Sequence, residues 1–92
     1  MIRSFKSKAL ERFSAKGDAS KLSVQNTAKV TRVLQTLDDA ARPEDVNQPG
    51  WRFHQLSGDR AGTYSVTVSG NWRITFKFDG EDATEVDLED YH

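Results

Sequence analysis

The chain has 92 residues, 36% of them hydrophobic and 29% charged, with a formal net charge of −1. That is enough for one domain over residues 1–92 with one modest core, and not for two. The absence of cysteine excludes a disulfide scaffold and any thiolate metal site. No apolar run approaches the ~20 residues of a membrane span, and residues 1–20 lack the apolar stretch of a signal peptide, so a soluble, cytoplasmic protein is expected.

Taken in chain order, residues 2–5 alternate and read as a short strand. Residues 6–16 place Ala9, Leu10 and Phe13 at helical spacing, with Gly17 as the stop. Residues 17–23 read as a loop. From about 24 to 41 the pattern is helical: Val30, Val33, Leu34 and Leu37 fall at i, i+3, i+4 and i+7, with Lys29, Arg32 and Gln35 on the other face. Ser23 is the expected N-cap and Pro43 the terminator.

The period then changes to two. Residues 51–54 alternate as a strand after Pro49-Gly50. Gly58-Asp59-Arg60 reads as a turn. Tyr64, Val66 and Val68 form one face of the next strand, and Ser65, Thr67 and Ser69 the other. Gly70-Asn71 signals a hairpin, and its return strand puts Trp72, Ile74, Phe76 and Phe78 inward and Arg73, Thr75 and Lys77 outward. After Asp79-Gly80, Val86 and Leu88 alternate in a last strand that runs to Tyr91-His92. Helices first and hairpin-linked strands later predict an α+β fold: two N-terminal helices on one face of a small, curved, mostly antiparallel sheet.

Charge is segregated along this order. Residues 1–36 carry eight Lys/Arg against Glu11 and Asp18, whereas residues 37–92 carry five against twelve acids, and seven of those acids lie in residues 78–92. Such a chain can turn a basic face to a polyanion, or the blocks are simply solvated surface. No nucleotide-binding loop, zinc spacing or nucleophile elbow is present, and His54 and His92 match no metal spacing, so no cofactor or metal is expected.

The outward sheet face is where chemistry is expected. Arg73 and Lys77 point away from the helices, and His54 does so if Phe53 points in. Asp90 continues the inward phase of Val86 and Leu88, while Tyr91 or His92 can sit over the outward face. On residue pattern alone, an ordinary solvent-facing strand and a terminal His with no role are the more common reading of the same residues.

Four stretches together are more specific: the opening Met1 to Leu10, His54-Gln55-Leu56-Ser57-Gly58-Asp59-Arg60, Asn71-Trp72-Arg73-Ile74-Thr75-Phe76, and the closing Glu89-Asp90-Tyr91-His92. As a set they resemble HigB-type toxins of the RelE/ParE toxin–antitoxin superfamily, end to end. The resemblance implies a RelE-like fold and an mRNA endonuclease acting in the ribosomal A site without a catalytic metal. It also implies neutralisation by a HigA-type antitoxin, through which operator DNA is mainly contacted. The family's active-site positions fall here on His54, Arg73, Asp90, Tyr91 and His92. Ser57 stands where the best-known members carry Lys, which removes a cation from the phosphate site; Ser57, Arg60 and Lys77 are the expected substrate-binding residues. The alternative is a toxin of the same fold without nuclease activity, directed at gyrase or acting as a binding module.

Overall fold

The computed structural model describes residues 1–90; Tyr91 and His92 lie outside the described residues. Helix α1 spans Lys8–Lys16 and α2 spans Thr27–Asp39. Four strands follow, β1 (His54–Gln55), β2 (Tyr64–Ser69), β3 (Trp72–Asp79) and β4 (Asp82–Asp90). They form one antiparallel sheet in the order β1-β2-β3-β4. The expected α+β architecture is therefore present, with both helices first and the hairpin-linked sheet after them.

The helices begin where side chains cap them. In α1 the Ser7 hydroxyl accepts from the Leu10 amide at 3.1 Å. Gly17 closes the helix at φ 69°, a left-handed conformation open to glycine, and its amide bonds the Phe13 carbonyl at 2.9 Å. The expected start of the second helix is displaced. Asn26, not Ser23, is the N-cap, its side chain accepting from the Lys29 amide at 3.2 Å. The preceding loop thus extends through residue 26. The helix ends at Asp39, and Pro43 opens a short 3-10 turn, Pro43–Val46, rather than terminating α2 directly.

The core lies between the helices and one sheet face. Leu10, Val30, Val33, Leu34 and Leu37 from the helices meet Val66, Val68, Ile74, Phe76, Ala83 and Val86 from the strands. Phe53, Tyr64, Phe76 and Phe78 form a continuous aromatic row on this side, with successive ring centroids 5.6, 5.9 and 6.0 Å apart.

Two departures from regular pairing decide which side chains face outward. The expected strand at residues 51–54 is reduced to His54–Gln55, because Arg52 takes a left-handed φ of 52°. In β4 the register shifts between Thr75 and Lys77 of its partner, and Glu85 there has φ 51°. One extra residue changes the phase of the strand, so Ala83 and Val86 both reach the core. Beyond the bulge, Asp87 and Glu89 stand opposite Thr75 and Arg73 on the outer face, while Leu88 and Asp90 stand opposite Ile74 and Trp72 on the helix side. Residues 2–5 do not form a strand; they make two isolated parallel bridges, Ile2 to Ala83 and Phe5 to Val86, which cover the free edge of β4.

The relocated cap yields a stability test. Asn26→Ala is expected to destabilise the protein by about 1 kcal/mol, because it removes the side-chain acceptor, while Ser23→Ala stays within about 0.5 kcal/mol. Urea denaturation of both variants against wild type measures this; equal losses would contradict the assignment.

Candidate functional site on the outer sheet face

Strand alternation and the β4 bulge place His54, Ser65, Thr67, Arg73, Thr75, Asp87 and Glu89 on the face turned away from the helices. His54, Ser65, Thr67 and Arg73 line an open groove of about 810 Å³, whose other walls are Arg52, Phe53 and the Gly70-Asn71-Trp72 turn. His54 is exposed. It pairs with Ser65, two strands and one row from Arg73; at a strand spacing of about 4.8 Å their Cα atoms are roughly 12 Å apart. That separation leaves room for a nucleotide between an imidazole and a guanidinium.

Arg73 sits low in this face, its side chain 15% exposed. Beside it lies a residue that the sequence did not single out. Glu89 is the cross-strand partner of Arg73, and its carboxylate accepts three hydrogen bonds: from Arg60 Nη1 at 2.8 Å, Arg60 Nη2 at 2.6 Å and the Thr75 hydroxyl at 2.6 Å. Arg73 Nη2 is 3.7 Å from the same carboxylate. Hydrogen bonds from Arg60 above all, with that of Thr75 and the charges of Arg60 and Arg73, outweigh partial burial and hold the Glu89 carboxyl at about 2. The guanidinium of Arg60 is pushed up in turn, chiefly by its hydrogen bonds to Glu89.

The other sequence-derived candidates are distributed around this centre. Arg60 belongs to the 3-10 turn Gly58–Arg60, and its fork is directed at Glu89. Lys77 lines a smaller pocket of about 190 Å³ together with Arg60, Thr75 and Glu85, and its ammonium lies 3.6 Å from Glu85. Ser57 is exposed at the start of the turn, its carbonyl accepting from the Arg60 amide at 3.3 Å. Asp90 stands opposite Trp72 on the helix side and lines a second groove with Ser23, Val24 and Gln25. The two grooves meet at Gly70, Asn71 and Trp72. Tyr91 and His92 lie outside the described residues. Among the described residues no three His, Asp or Glu side chains converge as a metal site, and no helix is long and apolar enough to cross a membrane.

A sequence-family model of RelE-like HigB toxins of type II toxin–antitoxin systems matches residues 3–92. The chain belongs to this HigB-like toxin family. Membership makes it a type II toxin, whose partner is an antitoxin. A curated relative, Endoribonuclease HigB of Proteus vulgaris, is 41% identical over 92 residues, covering 100% of both chains.

The low carboxyl of Glu89 has a signed consequence for stability. A group depressed in the folded state stabilises fully above its unfolded value, near 4.5, and loses that contribution as pH falls through about 2. With the solvent access of Arg60 allowed for, wild type is expected to exceed Glu89→Gln by about 1–3 kcal/mol near neutral pH, and the gap narrows as the solution is acidified below 4.5. Denaturant titrations of both proteins across that range measure it. A gap that stays constant or widens on acidification would contradict the assignment.

Proposed function

We propose that this chain is a ribosome-dependent mRNA endoribonuclease that cuts in the A site and is neutralised in the cytoplasm by a HigA-type antitoxin. The observation that carries the reading is the open groove on the outer sheet face, which brings an exposed imidazole, His54, and a guanidinium, Arg73, to opposite walls. The full-length relative named an endoribonuclease supports the same chemistry. Operator DNA is contacted mainly through the antitoxin.

RNA brings its own nucleophile, the ribose 2′-hydroxyl. Cleavage needs that oxygen in line with the phosphorus, a base to take its proton, a cation for the charge developing on the phosphoryl oxygens and an acid for the departing 5′-oxygen. Arg73 is the proposed phosphate ligand, since a guanidinium fork matches two phosphoryl oxygens and stays charged. His54 and His92 are the proposed proton-transfer groups, one as base and the other as acid, and Tyr91 is proposed to donate a proton or stack on a base. Asp90, which lines the adjoining groove, is proposed either as a base or as the residue that orients His92. Arg60 and Lys77 supply positive potential beside the groove, and Ser57 adds a hydroxyl without charge. The 2′-oxygen displaces the 5′-oxygen, leaving a 2′,3′-cyclic phosphate and a free 5′-hydroxyl.

The test uses a stalled ribosome complex whose message carries a single 2′-deoxy nucleotide at the cleavage position. The expected outcome is no cut at that position and normal cutting of the all-ribose message. Cutting of both at one rate contradicts attack by the 2′-hydroxyl. Translation arrest with intact all-ribose message points instead to a toxin of this fold without nuclease activity.

A further inference from the structure

Glu89 is the acid at the centre of the outer face to which the proposed chemistry gives no task. Its surroundings are built rather than incidental. The Thr75 hydroxyl that holds the carboxylate from below belongs to a residue only 1% exposed. Arg60 closes over it with both terminal nitrogens, and so ties the Gly58–Arg60 turn to β4. The carboxylate cannot swing away without breaking three hydrogen bonds, and Arg73 Nη2 lies 3.7 Å from it.

The Glu89 carboxylate stands between two guanidinium groups and offsets the charge of one of them, with Asp87 on the same face also acting on Arg60. Without the carboxylate, two like charges on adjoining elements would repel, and each long side chain would sample several rotamers. With it, Arg60 is satisfied by the fork of Glu89, and Arg73 has a fixed neighbour on the β4 side of its strand and an open groove on the β2 side. We propose that Glu89 is a positioning residue for the phosphate-binding arginine: clamped by Arg60 and Thr75, it orients the Arg73 guanidinium toward the groove. The inference rests on the reading that Arg73 takes the scissile phosphate. A simple staple for the turn is the competing role, and it would affect folding without acting through Arg73.

A double-mutant cycle separates the two. Glu89→Gln keeps the size and an acceptor for Thr75 but removes the charge. Maximal single-turnover cleavage on programmed ribosomes and the half-saturating toxin concentration are measured for wild type, Glu89→Gln, Arg73→Ala and the double variant, all well below their melting temperatures. Glu89→Gln is expected to lower the maximal rate roughly 10- to 100-fold with little change in half-saturation. The double variant is expected to be no slower than Arg73→Ala alone, because a residue that acts through Arg73 has nothing to orient once Arg73 is gone. Wild-type cleavage by Glu89→Gln, or an equal loss in both backgrounds, overturns the inference and leaves the reading of Arg73 intact. Wild-type cleavage by Arg73→Ala overturns that reading and the inference with it. Should Glu89→Gln fail to fold, an NMR titration of the wild-type protein serves: the Arg73 guanidinium resonances are expected to move with the Glu89 carboxyl, and their indifference to it would overturn the contact.

Discussion

The outer face of this sheet depends on one buried-side hydrogen-bond acceptor. The Glu89 carboxylate takes three donors from Arg60 and Thr75 and stands beside Arg73, so a turn, a central strand and the last strand are held by a single anion. An exposed ion pair contributes little, but a bidentate Arg–carboxylate pair supported by a buried hydroxyl belongs to the stronger class of charge-assisted bonds. The depression of the Glu89 carboxyl to about 2 is the thermodynamic record of that environment.

That arrangement follows from strand phase. The extra residue at the Glu85 bulge lets Ala83 and Val86 both enter the core, and it thereby sends Glu89 outward and Asp90 inward. Strand alternation puts these two adjacent acids on opposite sides of the sheet, and the bulge decides which of them faces outward. The family resemblance places the expected site on His54, Arg73, Asp90, Tyr91 and His92; the geometry adds Glu89, clamped by Arg60 and Thr75 beside Arg73. The groove of Arg73 meets that of Asp90 at the Gly70-Asn71-Trp72 turn.

Much of this was legible in the residues. The helical spacing of Val30, Val33, Leu34 and Leu37 located the α2 core face, and the alternation around Ile74 and Phe76 put Arg73 on the opposite side. Local signals misplaced what local energetics alone do not decide. Ser23 and Asn26 are both competent caps, and only the path of the loop selects Asn26. The left-handed φ of Arg52 cuts the first strand to two residues although its residues alternate. Glu89 was within reach: Val86 and Leu88 inward imply Asp87 and Glu89 outward, opposite Thr75 and Arg73. What strand period does not reveal is that Arg60, 29 positions away, folds back onto that carboxylate.

The central claim is that the Arg73 guanidinium binds the scissile phosphate on this face. Sulfur substitution of a non-bridging oxygen at that phosphate measures it most directly, since sulfur weakens the charge-assisted bonds on which such a contact depends. The ratio of oxygen to sulfur cleavage rates is compared between wild type and Arg73→Ala on the same stalled ribosome complex. The account predicts a large ratio for wild type in at least one phosphorothioate stereoisomer and a ratio near unity for the variant. Equal ratios in the two proteins would contradict it, and would move phosphate recognition to another residue.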